Sequence, residues 1–320
     1  MTAIGGESQA KPRVVHLDKI TMGGFEIPRP DFPHEWIEYD FTEPGEVVSR
    51  LAGAQVAIIN KVRMDEATLA ALPDLKLIAV TATGTDVVDS AAAKARGIEV
   101  RNVVGYAGTS VAEHVIMLIF ALTRGLGPFR ESVIDGRWEG GKAFCVFAAP
   151  VRDISGQRLG LFGSGAIAQA VASRARALGM EVVFAGRKGQ PAGDGKVAFE
   201  EVLATSDVIS LHCPLTDETR HMLNADSLAT MKPGALIINT ARGALIDLDA
   251  LEASIEAGHV GGAGIDVAPV EPPPSDSVIL RLARRENVIV TPHAAWLSAQ
   301  AVTDLAQRTG KNVATFLAGE

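Results

Sequence analysis

The sequence predicts an α/β protein built on two doubly wound parallel sheets. Short, near-continuous apolar runs rich in Val, Ile and Leu recur along the chain, as in parallel strands buried on both faces. Segments of helical spacing separate them, and strand alternating with helix builds a sheet covered on both sides. A glycine-rich turn, Gly163-Ser164-Gly165, falls mid-chain behind a long series of strand–helix units. One domain is therefore expected to be inserted between two pieces of another.

In chain order, residues 14–17, 56–59 and 77–80 read as strands of the first domain. Residues 159–162, 182–185, 208–211, 236–239, 265–267 and 288–290 read as strands of the second. Helical patterns cover residues 110–123, 166–178 and 298–317. The first crossing between domains is expected on the helix 110–123 and the return just after His293. This gives one domain of residues 1–105 and 294–320, and another of 106–293. Residues 269–274 form a proline-rich loop with Glu271 inside it.

With 320 residues and 47% apolar content, the chain can bury two cores. A net charge of −8 argues against a nucleic-acid partner, which needs a basic face. Cys145 and Cys213 are far apart in sequence and cannot staple a framework, which points to a reducing compartment. Residues 1–11 are small and polar, read as a loose tail without a signal core. The apolar run 115–122 is too short for a bilayer. A cytoplasmic protein with no membrane partner is expected, and no metal-ligand set is singled out.

Residues 159–162 read as a strand, Gly163 to Gly165 as a turn, and residues 166–178 as a helix. That context gives a G-x-G-x-x-G/A turn its meaning. The first glycine permits the tight turn. The second lets backbone approach a pyrophosphate seated on the helix N-terminus, formed by Ser164, Gly165, Ala166 and Ile167. Ala168 stands at the third glycine position. An NAD site places an acid about 20 residues beyond the first glycine, on the ribose 2′-hydroxyl. Here the second strand runs into Gly186-Arg187-Lys188, and no acid precedes Asp194. Arg187 and Lys188 would meet a 2′-phosphate, so NADP(H) is favoured over NAD(H).

Three residues then follow in order. Arg242 follows the strand 236–239, at the edge where ligands bind in such sheets. Its guanidinium fork suits a carboxylate and stays charged. His293 follows the strand 288–290 and can donate a proton to a carbonyl oxygen. A positioned general acid is worth roughly 10²- to 10⁴-fold in rate. Glu271 suits the other ring nitrogen of His293, fixing its tautomer. The remaining histidines, His16, His34, His114, His212, His221 and His259, are read as structural.

These segments resemble the D-2-hydroxyacid dehydrogenase family over nearly the whole chain. Asn239-Thr240-Ala241-Arg242-Gly243, the segment Asp266 to Pro272 and Thr291-Pro292-His293 resemble its arginine, glutamate and histidine motifs. The resemblance implies a flavodoxin-like substrate domain with an inserted Rossmann cofactor domain. Arg242, Glu271 and His293 would be catalytic. Thr83 and Gly84, in a segment similar to the family's substrate loop, would bind the carboxylate with Arg242 and His293. Cys213, Pro214, Thr240, Ala241, Asp266 and Ala295 would lie on the cofactor side, with Asp266 bonding the nicotinamide amide. Asn60-Lys61, Gly105-Tyr106, Ser110-Val111-Ala112-Glu113-His114, Phe144-Cys145 and Trp296 are similar to the glycerate dehydrogenase and hydroxypyruvate/glyoxylate reductase branch. Trp296 would then close the pocket over a small substrate. The resemblance also implies a homodimer through residues 105–150. Alternatives are a phosphoglycerate dehydrogenase, which would want a further basic group; a phosphite dehydrogenase, which would carry lysine where Thr83 stands; and a dinucleotide-sensing corepressor or binding module on the same fold.

Overall fold

The computed structural model describes residues 11–193 and 195–319. The segment read as a loose tail, apart from Lys11, and Asp194 lie outside the described residues. The chain divides into two compact units, Met1–Ala107 with Ser298–Glu320, and Gly108–Leu297.

The first unit holds five parallel strands: β1 (Arg13–His16), β2 (Glu35–Glu38), β3 (Val56–Ile59), β4 (Leu77–Val80) and β5 (Glu99–Arg101). Their order is β2-β1-β3-β4-β5, the flavodoxin-like winding. β3 and β4 are wholly buried, and this explains their unbroken apolar runs. β2 and β5 were not expected from the sequence. Both are edge strands with charged residues, and nothing in Glu35-Trp36-Ile37-Glu38 or Glu99-Val100-Arg101 forms an apolar run. The helix Ala299–Leu317 returns to this unit and packs near β4. Ser298 caps it, accepting from the Ala301 amide at 3.1 Å.

The second unit holds β6 (Arg158–Phe162), β7 (Glu181–Phe184), β8 (Val208–Leu211), β9 (Leu236–Asn239), β10 (Gly262–Ile265) and β11 (Val288–Val290). All pair in parallel, in the order β11-β10-β9-β8-β6-β7. A single bridge, Ala185 to Val197, adds one further residue beside β7. Val197 thus stands where the third strand of a Rossmann sheet belongs, and the strand order reverses between β6 and β8. Ligands bind at the carboxyl ends of strands flanking such a switch point.

Two expectations are corrected here. β10 spans Gly262–Ile265 rather than residues 265–267. Its glycines hide it from a propensity reading, but they let the sheet close up: a Cβ on Gly264 would meet Ile238 at 3.0 Å and Leu118 at 3.1 Å. The inserted unit also begins at Gly108 and runs to Leu297 instead of ending at His293. Residues just past His293 stay with it because the Ala294 and Ala295 amides donate to Asp266 at 2.8 and 3.0 Å.

The helix Gly108–Thr123 packs across β9, β10 and β11 with Ala112, Val115, Leu118 and Ile119 buried. Among the described residues no single helix is long and apolar enough to cross a membrane.

Candidate active site

Gly163 leaves β6 at φ 120°, a backbone region L side chains rarely adopt. A Cβ there would sit 2.5 Å from the carbonyl oxygen of His212, just after β8. The two strand ends flanking the switch point therefore approach as only a glycine allows. Gly165 is the N-cap of the helix Ala166–Ala177, in extended backbone and with no side-chain cap. Nothing lies within 4 Å of a Cβ built on Gly165. Ser164, Gly165 and Ala166 are exposed, while Ala168 is fully buried against the sheet. An uncapped first turn beside open space fits a pyrophosphate, through amide hydrogen bonds and the positive end of the helix dipole. The Thr240 hydroxyl is buried beside β9 with no hydrogen-bond partner among the described residues, a second observation that fits a ligand along this edge.

At the end of β7, Gly186 donates to the Val197 carbonyl at 2.7 Å, fixing the turn that presents Arg187 and Lys188. Both are exposed. The Lys188 ammonium lies 5.8 Å from the Phe199 ring centroid.

The backbone that carries Arg242 is held by the Asn239 side chain. Asn239, wholly buried, donates to the Arg242 carbonyl at 2.9 Å and accepts from the Ala241 amide at 3.0 Å. Gly243 then passes so close to the next motif that a Cβ would lie 2.2 Å from the carbonyl carbon of Ala268. The arginine and glutamate motifs are thus packed backbone against backbone. Three residues on, Glu271 Oε1 accepts from the Ala268 amide at 2.8 Å, and its Oε2 lies 2.6 Å from His293 Nδ1. One carboxylate therefore closes its own loop and orients the imidazole.

His293 has a φ of 54°, uncommon for a residue with a Cβ. Its amide donates to the Asp266 carbonyl at 2.8 Å. The Asp266 carboxylate is 2% exposed and binds the same loop again, accepting from the Thr291 hydroxyl at 2.5 Å and from the Ala294 and Ala295 amides. Asp266 is thereby an organiser of the histidine loop, a part its sequence motif alone does not disclose. His114 Nε2 lies 3.0 Å from the Thr291 hydroxyl, and the Ser110 hydroxyl donates to the Ala295 carbonyl at 2.7 Å. His114 was read as a purely structural histidine; the structure joins it to this loop.

Beyond β8, burial pushes His212 down to about 4, and its ring lies 2.9 Å from the Ser210 hydroxyl. Burial pushes the neighbouring Cys213 thiol up to about 11, so it is neutral at pH 7. Its Sγ is 3.6 Å from Met222 Sδ. Pro214 follows directly. Trp296 and Ala295 lie in the loop after His293, with Ala295 buried and Trp296 partly so.

Thr83 and Gly84 belong to the other unit, after β4. The Thr83 hydroxyl donates to the Val103 carbonyl at 3.0 Å, and the Asn102 side chain donates to the Thr83 carbonyl at 2.6 Å. The loop is thus held from the segment after β5.

A cavity of about 690 Å³ lies elsewhere, at the opposite edge of the second sheet, lined by Gly234, Leu236, Asn287 and Val288 at the strand starts. The switch-point edge, where the strands end and the polar groups converge, is the better candidate.

A dinucleotide turn, an arginine and a carboxylate-paired histidine on one sheet edge define a nicotinamide-dependent oxidoreductase. The family description "D-isomer specific 2-hydroxyacid dehydrogenase, NAD binding domain" matches residues 116–295. The chain is 49% identical to a glycerate dehydrogenase of Methylorubrum extorquens, over 96% of this chain and 97% of that one. It is 35% identical to a hydroxypyruvate reductase of Blautia hydrogenotrophica, over 89% and 90%. The solved structure of the TT0316 protein from Thermus thermophilus superimposes with a TM-score of 0.82 at 33% identity, covering 96% of this chain and 97% of that one. The chain belongs to the D-isomer specific 2-hydroxyacid dehydrogenase family.

Proposed function

We propose that this protein reduces a small 2-keto acid, hydroxypyruvate or glyoxylate, to the D-2-hydroxy acid, with NADPH preferred over NADH. The observation that carries the reading is the Glu271–His293 pair at 2.6 Å, on a loop bound by Asp266 in the same unit as the dinucleotide turn. The nicotinamide, when bound, supplies the hydride. Glu271 holds Nδ1 of His293, which leaves Nε2 to give a proton to the substrate oxygen. Arg242 receives the carboxylate and polarises the carbonyl. The Thr83–Gly84 loop is similar to the family's substrate loop, and Trp296 limits the size of the group beyond the keto carbon. The relatives named glycerate dehydrogenase and hydroxypyruvate reductase support this substrate class.

The cofactor preference rests on Gly186-Arg187-Lys188 at the end of the second strand, with no acid among the described residues of that turn. Arg187→Asp is expected to raise the KM for NADPH by ten-fold or more, on the order of one lost charge-assisted pair, and to leave NADH use nearly unchanged. Equal losses with both cofactors would remove the 2′-phosphate assignment.

A homodimer through residues 105–150 completes the proposal. Phe144 and Phe147 are 92% and 93% exposed, and Leu126, Val133, Ile134 and Trp138 are also uncovered along this segment. These exposed apolar side chains along one stretch of sequence support a protein interface there. The two cysteines, Cys145 and Cys213, are both free, consistent with a cytoplasmic setting.

A further inference from the structure

We infer that His114, with Ser110 one turn before it, is a positioning residue that sets the backbone of the loop carrying His293. Residues four apart lie on one helix face, and the helix Gly108–Thr123 presents this pair to both ends of that loop. His114 Nε2 meets the Thr291 hydroxyl at 3.0 Å, and Ser110 Oγ donates to the Ala295 carbonyl at 2.7 Å. His293 lies between these two anchors.

Proton bookkeeping fixes the direction of the relay. A threonine hydroxyl has one hydrogen, and Thr291 spends it on Asp266 Oδ1 at 2.5 Å. Its oxygen therefore accepts, and His114 Nε2 must carry a hydrogen. Burial holds His114 below the ordinary histidine value, with Asp266 opposing, so the ring is neutral with its hydrogen on Nε2. The charged group facing it is Asp266, at 3.7 Å; Glu113 beside it on the helix is turned to Arg174 at 3.4 Å. The chain His114 to Thr291 to Asp266 leaves each carboxylate oxygen aimed at an amide, of Ala294 or Ala295. Those amides hold the residues after His293, whose left-handed φ of 54° an unsupported loop would relax. Removing the hydrogen on His114 Nε2 frees the Thr291 hydroxyl to turn from Asp266, and the loop loses its fixed register.

The inference rests on His293 as the proton donor, and the test separates the two. His114→Leu, Thr291→Val, their double variant and His114→Gln are assayed with NADPH and hydroxypyruvate, alongside the melting temperature and NADPH binding by fluorescence. Each single variant is expected to lower kcat on the order of ten-fold, the scale of a small misplacement of a reacting group. NADPH binding should stay within about three-fold. The double variant should lose no more than the worse single, because both cut one relay. Glutamine places an N–H donor near the position of Nε2, so His114→Gln should recover most of kcat. Losses that multiply in the double variant, no loss in either single, or a glutamine variant as poor as leucine would each overturn the inference. A wild type that turns over no keto acid would instead overturn the reading of His293.

Discussion

His293 and Gly163 show how single residues carry the site. Gly163 is the point where the cofactor turn and the β8 loop come together, because a Cβ would collide with the His212 carbonyl at 2.5 Å. Gly163→Ala forces backbone, not a flexible side chain, to move. It is expected to weaken dinucleotide binding by at least ten-fold, a loss of about 1.4 kcal/mol, while the protein still folds. Titration of NADPH fluorescence checks this, and unchanged affinity would show that the turn tolerates a side chain. The pairing of Glu271 with His293 was legible because each stands in a short motif beyond a strand end. The parts played by Asn239, Asp266, Ser110 and His114 were not, since they depend on hydrogen bonds between segments distant in sequence. His114 is 177 residues from Thr291, and no local pattern announces that pairing.

At the scale of elements, legibility followed burial. The wholly buried strands β3, β4, β8 and β9 match their sequence readings residue for residue, because burial on both faces leaves an unbroken apolar run. The edge strands β2 and β5 carry no such run, and in β10 glycines replace bulk so that β9 and the helix Gly108–Thr123 can pack closely. The third Rossmann strand is reduced to the Val197 bridge and could not be seen at all. The loop after β8 adds a pH dependence. His212 titrates near 4 when folded and near 6.5 when unfolded, so the unfolded state binds more protons between these values. Its contribution is complete above about pH 6.5 and is lost as pH falls towards 4, amounting to up to about 3 kcal/mol. Urea unfolding of wild type and His212→Gln across this range should show the wild type losing stability more steeply. Parallel pH profiles would contradict the burial of a neutral ring.

For the whole molecule, the inserted arrangement was legible from the mid-chain position of the glycine turn, and the boundaries moved by two to four residues once the tethers to Asp266 and Ser110 were seen. Light scattering should give twice the chain mass of 33.6 kDa, and replacing both Phe144 and Phe147 with Ser should shift the protein towards monomer. A wild-type monomer at micromolar concentration would refute the apolar segment as a self-association surface. The reaction itself is tested by loss of nicotinamide absorbance with purified protein, comparing NADPH and NADH on hydroxypyruvate, glyoxylate and pyruvate. Rapid oxidation of NADPH with hydroxypyruvate or glyoxylate, and formation of the D-2-hydroxy acid, is expected. Bound dinucleotide with no turnover on any of the three acids would contradict it, and would favour a dinucleotide-sensing module on an enzyme's scaffold.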